Sequence, residues 1–171
     1  ERAHPTGLQH GTVTVVEQGR PVEITTFRAE GEYSDGRRPD EVCFVATIEE
    51  DLKRRDFTVN AIAWDPISDR YIDPFDGIAD LQNRTLRAVG SAQRRFEEDA
   101  LRLLRAIRFA ATHHLMPAPG LEAAMLAAAP RLERIAVERV AREFSLLFER
   151  AQQPSIGLQM ALRCGLIAVV L

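Results

Sequence analysis

Three groups of residues in this sequence combine types and spacings that could do chemistry. The first is the run Asp51-Leu52-Lys53-Arg54-Arg55-Asp56-Phe57-Thr58-Val59-Asn60. Two adjacent guanidiniums beside carboxylates and an amide can grip a phosphate and a ribose together. Arg54 and Arg55 offer bidentate donors to phosphate, and Asp56 and Asn60 can hold sugar hydroxyls. Taken alone, such a run is more often a solvated helix end, where cations suit the macrodipole. The second group runs from Arg94 to Arg108. On a helix, Asp99, Arg102 and Arg105 step by three and lie near one face. Acceptors and donors side by side are what reading the hydrogen-bonding edge of a base requires. An intrahelical ion pair worth about 0.2–0.5 kcal/mol is the alternative, and the spacing leaves both open. The third is Glu23, a carboxylate on a strand, which could be a metal ligand or a general base but alone reads as a surface residue. His4, His10 and His113-His114 lack zinc-motif spacing. The motifs G-x-S-x-G, G-x-x-x-x-G-K and H-E-x-x-H are absent.

The elements that must position these residues fall into two halves. Thr12 to Val16 and Val22 to Phe27 are rich in β-branched residues and flank the turn signal Gln18-Gly19-Arg20-Pro21, which predicts a β-hairpin. Glu30 to Asp40 reads as a polar loop carrying Arg37-Arg38. Thr47-Ile48-Glu49-Glu50 matches a capping box, so a short helix is expected from there through Arg55. Thr58 to Trp64 reads more as strand than helix, and Pro66, Pro74 and Gly77 mark a further loop. From Arg94 the apolar residues Phe96, Ala100, Leu103, Leu104 and Ile107 recur at helical spacing. Met116 to Gly120 breaks that helix. Further helices are expected at Leu121–Ala129, Val137–Arg150 and Ile156–Cys164, the last closed by Gly165.

Composition bounds the rest. The 171 residues are 46% hydrophobic and 27% charged, enough for a real core and against wholesale disorder. With 22 Lys+Arg against 25 Asp+Glu the net charge is −3, so nucleic-acid binding would have to rest on local basic clusters such as Arg94-Arg95. Cys43 and Cys164, the only cysteines, are far apart and outside any C-x-x-C pair, which argues against a disulfide scaffold or a cysteine zinc site. No apolar run approaches the roughly 20 residues of a membrane span, and no leader pattern is visible. A reducing, cytoplasmic setting without membrane contact is expected.

In order along the chain, His10-Gly11-Thr12-Val13, Glu23-Ile24-Thr25-Thr26-Phe27-Arg28, Arg37-Arg38-Pro39-Asp40, the Asp51–Ala61 run, Ile72-Asp73-Pro74-Phe75, Arg95-Phe96 and Glu98-Asp99-Ala100-Leu101-Arg102 resemble the bacterial class II tRNA nucleotidyltransferases, the CCA-adding enzymes, and the related bacterial poly(A) polymerases. The resemblance implies an α+β fold: the distal part of a polymerase-β-like head, an antiparallel or mixed sheet with a short helix, over residues 1–90. A helical neck and the start of the body follow over 91–171. It implies that Arg54, Arg55 and Asp56, with Asn60, contact the ribose and triphosphate of CTP or ATP. Asp99 and Arg102, with Arg105 beside them, would pair with the base edge. Glu23 would match a third carboxylate near two Mg²⁺ ions, and Arg139 and Glu143 would brace the nucleotide-binding helix. The implied activity is addition of CMP and AMP to the 3′ end of tRNA, with poly(A) addition or a noncatalytic nucleotide- or RNA-binding module as alternatives. The family's Asp-x-Asp metal motif, expected before His10, is absent. The chain therefore reads as an internal fragment, inactive in isolation.

Overall fold

The computed structural model describes residues 3–4, 12–17, 20–30 and 42–170. Its β part is a set of small ladders rather than one sheet. Strands β1 (Ala3–His4), β2 (Thr12–Glu17) and β3 (Arg20–Thr25) form an antiparallel ladder in which Thr12 faces Thr25 and Glu17 faces Arg20. The expected hairpin is present, with β1 added at its edge. The residues Gln18 and Gly19 of its turn lie outside the described residues, as do His10 and the Arg37-Arg38 loop. Strands β4 (Arg28–Glu30) and β5 (Val42–Phe44) pair antiparallel.

Helix α1 spans Ile48–Lys53 and ends two residues short of Arg55. It starts where the capping-box signal placed it, but Thr47 does not cap it: the hydroxyl donates to the Glu50 carboxylate (3.0 Å) instead of accepting a backbone N–H. The Thr58–Trp64 segment departs from the expected strand. Thr58–Asn60 is a turn of 3-10 helix, and only Ala63–Asp65 (β6) is extended, paired with Arg70–Ile72 (β7). Tertiary contacts override the β-branched composition here. The Thr58 N–H donates to the Arg87 carbonyl (2.9 Å), and Thr58 Oγ1 donates to the Asp80 carboxylate (2.7 Å). Gly77, expected in a loop, opens helix α2 (Gly77–Gln82), with the Asp73 carboxylate accepting the N–H groups of Gly77 (2.7 Å) and Ile78 (2.9 Å). Strand β8 (Thr85–Leu86) pairs in parallel with β9 (Met116–Pro117), a contact between the halves that no local pattern announced.

The expected long helix after Arg94 is two helices, α3 (Ala92–Glu98) and α4 (Leu101–His113). Asp99 between them has extended backbone, φ −148° and ψ 107°. Helix α5 is Leu121–Ala128, continued by 3-10 helix over Ala129–Arg134. Helix α6 is Val137–Arg150, α7 Pro154–Arg163 and α8 Ile167–Val170. Gly165 takes φ +68° beyond α7, as its expected closing role requires. No helix of the described residues is long and apolar enough to cross a membrane.

The main core lies among the helices, around Phe96, Leu103, Leu104, Ile107, Met125 and Leu147. Phe57 enters this core from the first half, fully buried, with its ring edge-on to Phe109 at 5.9 Å. A smaller cluster of Leu52, Ala61 and Val89 sits under α1. Cys164 is buried and unpaired, and burial, with help from Glu122, pushes its thiol up to about 11. The most deeply buried ion pair among the described residues lies in the helical half: the Arg108 Nε on α4 donates to Glu143 on α6 at 2.7 Å, both side chains under a tenth exposed.

Two substitutions test this packing. A methyl group at Gly77 would overlap the Thr58 carbonyl oxygen, so Gly77→Ala should lower stability by about 1–3 kcal/mol. An unchanged urea midpoint would show that α2 does not lie against this turn. Glu143→Ala leaves a buried guanidinium uncompensated and should cost about 3–5 kcal/mol in the same measurement, with Arg108→Met recovering much of the loss in the double variant.

Candidate nucleotide-binding site

The arginine run is organised by Asp51. Its carboxylate, on the last turn of α1, accepts Arg54 Nε (3.0 Å) and Nη2 (2.7 Å) on one oxygen and Arg55 Nη2 (2.8 Å) on the other. Spacings of three and four residues bring these groups to one face of the helix end. The carboxylate is buried, while the Arg55 side chain is 42% exposed. Asp51 thus holds two guanidiniums side by side, Arg55 open to solvent and Arg54 mostly buried with 16% of its side chain exposed, a geometry suited to gripping a phosphate.

Asp56 follows at once and is also buried. Its Oδ1 accepts the Phe57 N–H (2.9 Å) and Asn60 Nδ2 (3.1 Å), and its Oδ2 accepts Arg105 Nε of α4 (2.6 Å). The structure therefore brings Asp56, Asn60 and Arg105 together. Arg105 lies 5.3 Å from the centroid of the Phe109 ring, which fixes its stem against the helix.

Arg102 and Asp99 stand apart from the arrangement expected. The break between α3 and α4 takes Asp99 off the helix face that Arg102 occupies; the Arg102 N–H donates to the Asp99 carbonyl (3.1 Å), but their side chains bond to other partners. The Asp99 Oδ1 accepts the Leu101 N–H (3.0 Å), so Asp99 caps the start of α4. Its Oδ2 accepts Arg139 Nη2 from α6 (2.8 Å). Arg102 is largely buried. It donates to Glu98 (2.6 Å), to the Arg95 carbonyl (3.0 Å) and to the Arg54 carbonyl (3.2 Å). Arg95 reaches the Lys53 carbonyl (3.4 Å) and pairs with Glu98 (2.9 Å). The last carbonyls of α1 are thus capped by arginines of α3 and α4, which sets the Arg54-Arg55 end against the Asp99 junction.

Glu23 does not join this cluster. It lies on β3 opposite Thr14 of β2, and β3 is exposed along its whole length. Among the described residues no three His, Cys, Asp or Glu side chains form a group that could hold a metal ion. Asp51 and Asp56 are occupied by arginines, so they do not fit a two-metal site. Arg139 and Glu143, both on α6, pair with Asp99 and Arg108.

Three residues of the arrangement escaped the sequence reading as site members: Asp51, Glu98 and Arg108. The first two had a signal in the i, i+4 spacings Asp51–Arg55 and Glu98–Arg102. Arg108 and Glu143 are 35 positions apart, and nothing local connects them.

Residues 1–87 match the family described as "Poly A polymerase head domain", and residues 114–171 match "Probable RNA and SrmB- binding site of polymerase A". A CCA-adding enzyme of Leuconostoc citreum is 51% identical over 162 residues, 95% of this chain and 40% of the relative. The crystal structure of the Bacillus stearothermophilus CCA-adding enzyme in complex with CTP superposes with a TM-score of 0.86 at 41% identity, over 97% of this chain and 39% of that one. The Thermotoga maritima CCA-adding enzyme complexed with tRNA superposes with a TM-score of 0.78 at 25% identity, over 98% of this chain and 37% of that one. The chain spans about two fifths of the length of these relatives. With the head-domain match covering 87 of its 171 residues, the chain belongs to the poly A polymerase head-domain family, alongside the CCA-adding enzymes.

Proposed function

We propose that this chain is the nucleotide-binding part of a tRNA nucleotidyltransferase that adds CMP and AMP, from CTP and ATP, to the 3′ end of tRNA. The observation that carries the reading is the juxtaposition of Asp51-clamped Arg54 and Arg55 with the Asp99–Arg102 junction, joined through the carbonyls of α1. Arg54 and Arg55 bind the triphosphate, Asp56 and Asn60 the ribose, and Asp99 and Arg102 the base edge, with Arg105 beside them. Base recognition requires Asp99 to exchange part of its bond to Arg139, and Arg102 part of its bond to Glu98, for the base. The relatives that carry CTP and tRNA support the same substrates. In this reading residues 1–90 belong to the head and 91–171 to the neck and the start of the body. The setting is cytoplasmic, where tRNA and nucleoside triphosphates meet.

In the reaction the tRNA 3′-hydroxyl attacks the α-phosphate and pyrophosphate leaves. Divalent ions, in this reading Mg²⁺, stabilise charge in such transfers. The described carboxylates do not fit that role, because Asp51 and Asp56 are held by arginines and, among the described residues, Glu23 belongs to no group of three side chains that could hold a metal ion. The contribution of these residues is to bind and orient the nucleotide. Poly(A) addition is the second reading, favoured by the family description of residues 1–87. Binding of CTP and ATP at comparable affinity supports CCA addition, and binding of ATP alone supports poly(A) addition.

Calorimetric titration of the four nucleoside triphosphates tests the assignment. Arg55→Ala should weaken all of them alike by roughly ten- to a hundredfold, since hydrogen bonds to charged groups contribute about 1.5–3 kcal/mol. A loss for CTP with ATP untouched would contradict the phosphate role. Asp99→Ala should relax discrimination against UTP and GTP by roughly ten- to a hundredfold, the scale of a good bidentate base contact. Equal discrimination ratios in variant and wild type would make Asp99 a helix cap and nothing more.

A further inference from the structure

Asp80 lies outside the arginine cluster, yet its carboxylate is 4% exposed and held from two sides. On one side the Thr58 hydroxyl donates to it at 2.7 Å. On the other, Arg87 grips it with three bonds of 3.0–3.2 Å, and the carboxylate in turn raises the Arg87 guanidinium further above its usual range. Thr58 belongs to the turn that presents Asp56 and Asn60. Within that turn the Asn60 N–H donates to the Phe57 carbonyl and the Ala61 N–H to the Thr58 carbonyl, both at 2.9 Å. The turn is therefore pinned at Asp56 by Arg105 and at Thr58 by Asp80. The approach of α2 that places Asp80 here depends on Gly77, which packs directly on the Thr58 carbonyl. Burying a carboxylate and a hydroxyl is a costly way to gain stability alone, because a well-packed apolar pair does at least as well. What the bond adds is direction: it fixes where the following side chains stand.

We propose that Asp80 is a positioning residue for the nucleotide sugar, acting through Thr58 to set the placement of Asp56 and Asn60 and with it the preference for ribose over deoxyribose. The inference rests on the reading of Asp56 and Asn60 as ribose contacts. A role in stability alone would weaken CTP and dCTP equally. A positioning role acts on the hydroxyl that distinguishes them.

The test is equilibrium binding of CTP and dCTP to the chain, with thermal unfolding followed in parallel, for wild type, Thr58→Val, Thr58→Ser and Asp80→Asn. Wild type should prefer CTP. Thr58→Val and Asp80→Asn should each reduce the CTP-to-dCTP ratio by roughly tenfold, a modest share of what misplacement by an ångström can cost. Thr58→Ser, which keeps the hydroxyl, should retain the wild-type ratio. An unchanged ratio in folded Thr58→Val and Asp80→Asn, or a parallel loss for both nucleotides, overturns the inference while leaving the ribose contacts standing. Failure of both variants to fold assigns Asp80 to stability and also overturns it. A wild-type chain that binds CTP and dCTP equally overturns the ribose reading itself, and the inference with it.

Discussion

The Asp56 carboxylate is compensated from both halves of the chain: by Asn60 and the Phe57 N–H within its own turn, and by Arg105 of α4 at 2.6 Å. A carboxylate this buried carries a desolvation penalty that only such partners offset. Arg105 cannot reach it unless α4 packs along the turn, and α4 does so because Phe57, the next residue, is inserted against Phe109. One residue thus supplies the apolar anchor and its neighbour the polar latch. Moving the turn away from α4 would expose Phe57 and strip Asp56 of its cation in the same step.

The remaining charged groups follow the same logic. Asp51 gathers Arg54 and Arg55, Glu98 gathers Arg95 and Arg102, and Asp99 holds Arg139. Each guanidinium is oriented by a carboxylate behind it, so less rotamer freedom is lost when a ligand arrives. Donors fixed in advance around a polyanion are the arrangement that binding and phosphoryl chemistry favour. The fixed groups come from α1, the turn after it, α3, α4 and α6, and the turn, α3, α4 and α6 share the main core, so a nucleotide bound as proposed would touch elements packed on one another.

Much of this was legible from sequence where the signal was local. The β2–β3 hairpin follows from two β-branched runs about the Gln18–Pro21 signal, although Arg20 and Pro21 belong to β3 itself, and α6 spans Val137–Arg150 as its apolar period predicted. The arginine run and the Glu98–Arg102 segment were visible as chemistry before any fold. The misreadings share a cause. Thr58–Asn60 looked like strand because Thr and Val favour it, but Asp80, Arg87 and Gly77, all distant in sequence, hold it as a 3-10 turn. The run from Arg94 looked continuous because the apolar period passes through Asp99 unbroken. The break arises because the Asp99 carboxylate caps α4 and meets Arg139 from 40 positions away. Periodicity reports which face is apolar, not which polar group will interrupt the backbone.

The central claim is that Asp56 and Arg105 act as one latch between the turn proposed to bind sugar and phosphate and the helix proposed to carry the base contacts. A double-mutant cycle measures this directly, by calorimetric titration of CTP into wild type, Asp56→Asn, Arg105→Gln and the double variant. The account predicts strong non-additivity, with a coupling energy of about 0.5–3 kcal/mol, because either single change already opens the latch. Losses that add to within about 0.3–0.5 kcal/mol would mean that the two residues serve the nucleotide independently, and would contradict it.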